Sequence, residues 1–402
     1  MIAIVIDSIE RYRFFSRLIL SLNGKYSILV ITTEPYAYLA SKSLSRHSKL
    51  IVNCFYGSMH ILVANNITKN IIDSDVMKSI EVLNNDISLS VAKRDYERAL
   101  SFFIKEFIRY DVKKCIMWNG QQLLCRAATR ACKQLNIDTV YIEIANLPRK
   151  LFVDSQGVNA LSSIATDISI IDNLTDVNEE KHKLWLACYE EYKNKPLPQS
   201  ITKLKNKFKS SINYFLKLVT PSLLRRKLSK IKLKNGANLK NIKLAGYEVV
   251  DNLDYIFLPL QVSGDTQIKL HSKYDNAAAI QYALDVSKKT NLDLIVKIHP
   301  AEYSENEINK ILALQDKHGF YISNANTTHL IKNASKIITI NSTVGLEGLL
   351  YKKNVEAIGN CFYKNFDQVR LMKYIHQYLV DGVDYFSDDP IEFDVSERII
   401  NA

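Results

Sequence analysis

Short apolar runs alternate with amphipathic stretches over most of the chain. The apolar runs predict strands at Ile2–Ile6, Tyr26–Ile31, Lys114–Met117, Thr139–Ile144, Asp167–Ile171, Tyr255–Pro259, Leu292–Ile298, Tyr321–Ile322, Lys336–Ile340 and Val355–Ile358. The amphipathic stretches predict helices at Glu10–Leu22, Glu97–Tyr110, Gln122–Leu135, Asn276–Thr290, Glu305–His318, Thr328–Asn333 and Val344–Tyr351. Strands that alternate with helices are typical of parallel sheets with helices on both faces.

The alternation is interrupted once, by a basic segment near the middle of the chain. The 402 residues suffice for two domains of roughly 150–200 residues each. We therefore predict an α/β protein with Rossmann-like domains at 1–195 and 248–402, joined by a basic amphipathic linker at 196–247. Ligands of such sheets bind at the carboxyl ends of the strands, so we expect the active site in the cleft between the domains.

The composition indicates a cytoplasmic protein. The chain contains no run of about 18 apolar residues that could form a membrane-spanning helix. Asp7, Glu10 and Arg11 interrupt the first apolar run too early for a signal peptide. The six cysteines form no CxxC pair and show no zinc-ligand spacing, so we expect reduced, unpaired thiols.

The basic segment accounts for the net charge of +11. From Tyr192 to Tyr247 the chain has 15 Lys or Arg residues and no Asp or Glu, so the remainder is slightly acidic. Two helices broken at Pro221 would place its interleaved apolar residues on one face. Such helices suit the anionic face of the inner membrane, here through 203–234, or a linker that packs one face on the protein. Nucleic acid is a third alternative, but no nucleic-acid-binding motif accompanies the charge.

Several common chemistries lack their motifs. The chain has only 12 glycines, without GxGxxG or Walker A, and GxSxG and HExxH are absent. Asp73-Ser74-Asp75 has the form of a metal-binding DxD but lies in a polar stretch without matching context. We expect no metal and no cofactor.

Polar residues follow two predicted strands of the second domain. IVKIHPAE places Lys297, His299 and Pro300 at a strand end, where His299 could bind a phosphate or pass a proton. IITINSTVGLEGLLYKK runs from a strand into a helix that Ser342 or Thr343 can cap, with Glu347 in its first turns. The start of that helix is a ready anion site. Alternatively, neither motif binds a ligand: His299 and Pro300 form an ordinary turn at a strand end, and Ser342 or Thr343 only caps its helix.

Candidate carboxylates occur in both domains. LPLQVSGDTQ carries Gln261 and Asp265, and Asp265 either acts as base, nucleophile or sugar ligand or only caps a turn. In the first domain, Glu143 ends an apolar strand and is a candidate acid or base, or a partnered structural carboxylate. The neighbouring polar residues Asn119, Gly120 and Asn159 are candidates for the acceptor or sugar side of the site.

The ordered motifs WNGQ, YIEIANLP with DSQGVNA, LPLQVSGDTQ, VKIHP and INSTVGLEGLL resemble the capsule polysaccharide biosynthesis family, over about residues 115–360. The resemblance is to its β-Kdo transferases of the KpsC and KpsS type and to the retaining β-Kdo module of the WbbB type. It implies a GT-B-like fold, CMP-β-Kdo as donor, and a glycan or glycolipid of the bacterial surface as acceptor.

The resemblance also implies roles for the candidate residues. Asp265, in the QxxxD motif with Gln261, would be the catalytic aspartate, and Glu143 the acid or base of the first domain. His299 and Pro300 would bind CMP, and Ser342 and Thr343 the nucleotide or its phosphate. Lys297 and Glu302 would assist in this site, because they flank the His-Pro motif in the sequence.

The mechanism expected from the resemblance is a double displacement through an Asp265 adduct, with net retention. Two alternatives stay open. One is another nucleotide-sugar enzyme of the same fold, such as a sialyltransferase or a UDP-sugar 2-epimerase. The other is a non-catalytic scaffold of polysaccharide assembly.

Overall fold

The computed structural model describes residues 1–46, 48–57, 69–145, 147–193, 204–218 and 244–402. The chain forms two compact units. The first unit contains residues 1–163, 178–231 and 375–402, and the second contains residues 164–177 and 232–374.

The first unit is built around a sheet of seven strands in the described part of the chain. They are β1 (Ile2–Ile6), β2 (Ile28–Thr32), β3 (Ile51–Phe55), β4 (Lys114–Trp118), β5 (Asp138–Ile144), β6 (Lys150–Asp154) and β12 (Val380–Asp381). Their order is β12-β6-β5-β4-β1-β2-β3. The strands from β5 to β3 are parallel, whereas β6 runs antiparallel to β5 and β12 antiparallel to β6.

Helices cover this sheet and include the last segment of the chain. They are α1 (Ile9–Leu22), α2 (Pro35–Arg46), α3 (Lys69–Met77), α4 (Ile80–Leu83), α5 (Leu89–Arg109), α6 (Leu123–Leu135), α9 (Glu179–Lys193), α10 (Leu204–Leu218) and α18 (Phe393–Ile400). In the core, Phe14, Phe15 and Trp118 belong to the same buried cluster as Ile399 and Ile400. The chain end therefore completes the core that the amino terminus begins.

The second unit has an all-parallel sheet among its described residues, in the order β11-β10-β7-β8-β9. Its strands are β7 (Tyr255–Pro259), β8 (Asp293–Lys297), β9 (Tyr321–Ile322), β10 (Lys336–Thr339) and β11 (Asn354–Ala357). Its helices are α8 (Ser169–Asp172), α11 (Tyr247–Val250), α12 (Thr266–His271), α13 (Asn276–Thr290), α14 (Glu305–His318), α15 (Thr327–Asn333), α16 (Thr343–Leu350) and α17 (Gln368–Lys373). A short helix, α7 (Ser163–Thr166), lies where the chain passes from one unit to the other.

The predicted α/β class is confirmed, and most predicted elements of the second unit are present. One predicted strand, Asp167–Ile171, is wrong because the chain forms α8 there. The Asp167 carboxylate accepts hydrogen bonds from the Ser169 backbone N–H (3.0 Å) and hydroxyl (2.6 Å). This local turn starts a helix instead of an extended strand. The strands β3, β6 and β12 were not predicted.

The predicted domain boundaries need two corrections. Residues 375–402, predicted to lie in the second domain, belong to the first unit because β12 pairs with β6 and the side chains of α18 enter the first core. Residues 164–177, predicted to lie in the first domain, belong to the second unit. There, Arg370 pairs with Asp172 (2.7 Å) and Lys373 pairs with Asp176 (3.1 Å).

The basic segment lies largely outside the described residues, including Pro221 and everything from 219 to 243. Its first predicted helix is present as α10. Within the described ranges, no helix is both long and apolar enough to cross a membrane. The six cysteines are unpaired, as predicted.

Candidate functional site

In the second unit, the loops after β7 and β10 are joined by a reciprocal pair of hydrogen bonds. The Gln261 side-chain amide donates to Asn341 Oδ1 (3.0 Å), and the Asn341 backbone N–H donates to Gln261 Oε1 (3.2 Å). Gln261 is buried. Loss of the Asn341 side chain would remove the acceptor of the Gln261 amide nitrogen, and loss of the Gln261 side chain would remove both hydrogen bonds. The structure therefore brings two of the predicted motifs together at the carboxyl edge of the sheet. Asn341 was part of a quoted motif but was not among the predicted site residues.

Asp265 lies in the same loop and caps the following helix. Its Oδ1 accepts a hydrogen bond from the Gln267 backbone N–H (2.9 Å), which makes Asp265 the N-cap of α12. Its Oδ2 is 3.5 Å from the Gln261 side-chain nitrogen. Asp265 therefore has the capping role that was one of its predicted alternatives. Its second carboxylate oxygen faces the Gln261–Asn341 pair.

A buried carboxylate fastens the Asp265 loop to the loop after β8. Glu302 Oε2 accepts from the Ser263 N–H (2.6 Å), and its Oε1 accepts from the backbone N–H groups of Tyr303 and Ser304 (2.9 Å each). Glu302 is 3% exposed. Three backbone donors therefore hold it, and its role is to position the two loops.

His299 lies in the second of these loops. Its Nδ1 accepts a hydrogen bond from the Ala301 N–H (3.0 Å), so Nε2 carries the hydrogen of the neutral ring. Desolvation lowers the pKa of His299, while the carboxylates of Asp265 and Glu302 partly oppose the shift. At neutral pH the ring is uncharged and can donate from Nε2 to a ligand oxygen. The Glu302 N–H donates to the His299 carbonyl (2.9 Å), so His299 belongs to the loop that Glu302 fastens to the Asp265 loop.

Two other residues of the His-Pro motif, Lys297 and Pro300, do not take part in these hydrogen bonds. Lys297 donates from Nζ to the backbone carbonyl of Ala325, beyond β9, and burial lowers its pKa. Pro300 is exposed and follows His299 directly. The structure thus directs the Lys297 ammonium toward the β9 side of the sheet edge.

The start of α16 has the predicted form. Ser342 is its N-cap, accepting a hydrogen bond from the Val344 N–H (3.2 Å), and Thr343 is the first helical residue. The Tyr363 hydroxyl donates to the Ser342 carbonyl, which fixes the entry into the helix. Glu347 lies one turn further on. Because Ser342 follows Asn341, this helix start adjoins the Gln261 network and suits an anionic group.

An open cavity of about 630 Å³ lies within the second unit, past the carboxyl end of β11. The Asn360 N–H donates to the His271 carbonyl (2.8 Å), and the Asn360 carbonyl accepts from Asn341 Nδ2 (3.4 Å). The cavity wall therefore continues from the Gln261 network. Tyr274, Tyr282 and Lys364 also line this cavity, whose volume lies in the range of small-ligand sites.

The first unit has its own polar cluster at the carboxyl ends of β4 and β5. The Asn119 side-chain amide donates to Glu143 Oε2 (3.0 Å), and the Ile144 N–H donates to Glu143 Oε1 (3.0 Å). Desolvation raises the pKa of Glu143, although these donors and Arg11 favour its charged form. Gly120 follows at φ +76°, where a Cβ would come within 2.7 Å of the Tyr141 ring. Asn119 and Gly120 are thus beside Glu143, as predicted.

Two residues of this cluster were missed by the sequence analysis. Asp7 follows β1 directly and pairs with Arg11 of α1, and both side chains are largely buried. The Arg11 guanidinium lies 5.7 Å from the Trp118 ring centre, and its charge acts on Glu143. A charged residue directly after a buried strand was the available signal.

Asn159 is held in a different place. It begins the 3₁₀ turn Asn159–Leu161, and its carbonyl accepts from the Ser162 N–H (3.1 Å) and hydroxyl (2.7 Å). These contacts tie Asn159 to its own turn and not to Glu143.

The carboxylates of the DxD-like stretch are engaged in ion pairs. Asp73 pairs with Lys93 (2.7 Å), and Asp75 pairs with Arg130 (2.8 Å) and accepts from the Tyr96 hydroxyl (2.6 Å). They join α3 to α5 and α6.

The fold and sites define an α/β protein of two units, each with polar clusters where its parallel strands end. Residues 114–366, more than half of the chain, match the family model described as "Capsule polysaccharide biosynthesis protein". The chain belongs to this family.

Known proteins that resemble the chain are distant. The capsule polysaccharide export protein KpsS of Escherichia coli is 25% identical over 134 residues, which cover 31% of this chain and 34% of KpsS. Protein FixF of Sinorhizobium fredii (strain NBRC 101917 / NGR234) is 31% identical over 120 residues, 29% of each chain. The chain thus spans about a third of the length of these relatives. The solved structure of Thermosulfurimonas dismutans KpsC, β-Kdo 2,7 transferase, aligns with a TM-score of 0.40 at 14% identity, over 74% of this chain and 86% of that one.

Proposed function

We propose that the protein is a retaining β-Kdo transferase that moves Kdo from CMP-β-Kdo to a bacterial surface glycan or glycolipid. The observation that carries the proposal is the joined network of Gln261, Asp265 and Asn341 beside His299 and the start of α16. It gathers a carboxylate, a neutral histidine and an anion-binding helix start at one sheet edge. Membership of the capsule polysaccharide biosynthesis family supports a sugar-transfer reaction.

In the proposed reaction, Asp265 Oδ2 attacks the anomeric carbon of CMP-β-Kdo. The bond from that carbon to the phosphate oxygen breaks, and CMP leaves with the electron pair. An acceptor hydroxyl then attacks the same carbon, releases Asp265 and transfers its proton to a base, for which Glu143 is the candidate. Two inversions at one carbon give net retention.

The other residues would bind the donor. His299, with hydrogen on Nε2, and the N–H groups at Ser342 and Thr343 would stabilise the charge that builds up on the leaving phosphate. Gln261 and Asn341 would hold Asp265 in place. Because CMP leaves with a single phosphate, the proposal needs no metal.

The cavity beside this network would accept a sugar ring of the donor or acceptor. Tyr274 and Tyr282 offer aromatic surface, and Lys364 offers a positive charge for an acidic sugar. The proposed location is the cytoplasmic side of the inner membrane, where a nucleotide-sugar donor is available.

The decisive test compares two substitutions at Asp265. Asp265→Asn keeps a good N-cap but loses the nucleophile, so we expect transfer to be abolished with stability and CMP binding nearly unchanged. Asp265→Ala also loses the N-cap, so its free energy of unfolding should be lower by about 1 kcal/mol. Transfer is measured by product NMR with CMP-β-Kdo generated in situ and candidate acceptor glycans.

Asp275→Asn is the matched control. Asp275 caps α13 through the Ala278 N–H (2.8 Å), so the substitution makes the same chemical change at a cap outside the network. It should retain full transfer. Full transfer by Asp265→Asn would remove the nucleophile role.

The same assay separates the alternative functions. CMP-sialic acid and UDP-sugars replace CMP-β-Kdo in parallel reactions. Turnover of one of these donors alone would identify a sialyltransferase or a 2-epimerase. Absence of CMP release with every acceptor, together with assembly unaffected by Asp265→Asn, would identify a scaffold.

A further inference from the structure

The cavity past β11 lies on the face of the second sheet that α13 covers. A Cβ added at Gly348 of α16 would come within 2.8 Å of the Val355 side chain, so Val355 faces α16. Successive side chains of a strand point to opposite faces, so Glu356 faces away from α16. Glu356 and Tyr282 of α13 both line the cavity. The cavity therefore opens on the opposite face of the sheet from α16, whose start is proposed to bind the phosphate.

The carboxylate in the cavity wall already has partners. Glu356 accepts a hydrogen bond from the Tyr282 hydroxyl and forms an ion pair with Lys336 Nζ (2.7 Å). Desolvation would raise the pKa of Glu356, but the hydrogen bonds from Lys336 and Tyr282 outweigh it and lower the pKa. The ionised carboxylate is therefore balanced by Lys336 and does not neutralise the other cations of the cavity.

Two lysines of the cavity wall have no such partner. Lys273 and Lys364 both line the cavity, and both are exposed. Among the described residues, neither ammonium group has an ion pair or a hydrogen bond. Lys273 Nζ lies 5.8 Å from the ring centre of Tyr274, another residue of the wall. Because Lys336 balances Glu356, these two ammonium groups make the cavity attractive to an anion.

The rest of the wall favours a sugar carboxylate over a phosphate. The three backbone N–H groups of 358–360 donate to carbonyls within the fold at 2.7–2.9 Å, so they form no nest for a phosphate. The rings of Tyr274 and Tyr282 form a corner, with centres 5.8 Å apart and planes at 69°. An aromatic corner beside two ammonium groups suits a ring that carries a carboxylate, and the volume of about 630 Å³ admits one.

We propose that this cavity binds a carboxylate-bearing sugar of the acceptor glycan. Lys273 and Lys364 pair with the carboxylate of that sugar. The rings of Tyr274 and Tyr282 pack against the apolar face of its ring. The choice of the acceptor rests on the proposed function, which gives Asp265 and the start of α16 to the donor. Binding of the acidic sugar itself does not depend on that reaction.

The first test is isothermal titration of the full chain with the methyl glycoside of Kdo, in the absence of CMP-β-Kdo. The methyl ester of the same glycoside keeps the ring but loses the charge, so we expect it to bind roughly tenfold more weakly. Lys273→Met with Lys364→Met should weaken binding of the acidic glycoside roughly tenfold. The unfolding temperature should not change, because both side chains are exposed.

Lys288→Met with Lys289→Met is the matched control. It removes two exposed lysines from the last turn of α13, in the same unit but outside the cavity wall, and should bind the glycoside as the wild type does. Equal binding of the acid and its ester would overturn the proposal. Equal binding by the Lys273 and Lys364 double variant and the wild type would overturn it as well.

Inorganic phosphate and CMP test the other anions that the cavity could hold. We expect the affinity for each to be the same in the wild type and in the Lys273 and Lys364 double variant. A loss of phosphate or CMP binding in the double variant would assign the cavity to the nucleotide and overturn the proposal.

Transfer assays relate the cavity to the proposed reaction. The Lys273 and Lys364 double variant should raise KM for an acidic acceptor roughly tenfold, with kcat and KM for CMP-β-Kdo unchanged. A rise in KM for the donor alone would overturn the assignment to the acceptor. Asp265→Asn should bind the glycoside normally. A wild type that binds the glycoside through the two lysines but transfers nothing would contradict the proposed function and not this site.

Discussion

At the scale of single residues, burial sets the chemistry of Glu143. Its half-buried carboxylate lies next to the last residue of β5, and desolvation raises its pKa more than Asn119, Ile144 and Arg11 lower it. A carboxylate with a raised pKa keeps its proton to a higher pH than an ordinary glutamate, which suits a residue that exchanges a proton. The same burial makes the charged form unfavourable for folding. The raised pKa therefore favours the proposed catalytic role of Glu143 but lowers the stability of the folded protein when Glu143 is ionised.

Glu143→Gln tests the effect of this carboxylate on both stability and transfer. Because the folded pKa is raised, ionisation above that pKa costs stability, and the cost vanishes as pH falls toward the unfolded value. The amide keeps the acceptor for Asn119 without a charge. We expect the variant to be more stable than the wild type at pH 7.5 by roughly 1 kcal/mol, with a smaller difference at pH 5 and reduced transfer throughout.

Urea unfolding at the two pH values measures this change. The control is Glu143→Ala, which also removes the acceptor and should lose the gain. A glutamine variant that is less stable at pH 7.5 would contradict the assignment of a desolvated carboxylate.

At the scale of elements, two buried carboxylates attach loops and a helix to the units. Glu302 joins the loops after β7 and β8, and Glu34 joins α10 to the first unit. Each carboxylate is matched by specific donors, so removal of one partner is more harmful than removal of the pair. These anchors determine the position of Asp265 and of α10.

The Glu34–Lys217 pair provides a double-mutant test at this scale. Lys217→Met leaves Glu34 buried without its cation and should destabilise the first unit by about 3 kcal/mol. Adding Glu34→Gln removes the uncompensated charge and should recover much of that loss. Chemical denaturation gives the free energies, and hydrogen exchange in α10 reports its release. Equal stability of the single variant and the wild type would show that the pair does not hold the helix.

At the scale of the whole molecule, the chain returns to its first unit after completing the second. One turn of π-helix, Tyr374–Tyr378, leads into this last segment. His376 of that turn contacts His182 of α9 (3.1 Å between Nε2 and Nδ1). Desolvation lowers the pKa of His376 to about 4, helped by Lys150, His182 and Lys181 and opposed by Asp381. The returning segment is thus attached partly by the contact of His376, which its lowered pKa keeps neutral, with His182.

Acid should weaken this attachment. The folded pKa of His376 lies below the unfolded value of 6.5, so its contribution is complete above pH 6.5 and is lost as pH falls from 6.5 to about 4. We expect the wild type to lose ~1–3 kcal/mol of stability across that range on account of His376. His376→Gln should flatten the profile. A profile of equal steepness in the variant would assign the acid sensitivity to other groups.

The local pattern was sufficient for β7, α13 and α14 of the second unit. The predicted bounds of β7, α13 and α14 agree with the structure. Their strands are buried on both faces and their helices carry ordinary caps, so short-range sequence signals specify them. The motifs at 261–265, 299 and 341–343 could be found because strand ends in a parallel sheet share one edge.

The sequence by itself determined the α/β class, the location of the polar strand ends and the charge of the middle segment. Only the tertiary structure decided that Asn341 completes the Gln261 network, that Asp7 and Arg11 join Glu143, and that residues 375–402 belong to the first unit. It also decided which face of α10 is buried. The reason is physical: local propensity and periodicity act over a few residues, whereas these choices depend on hydrogen bonds and burial between segments far apart in the chain.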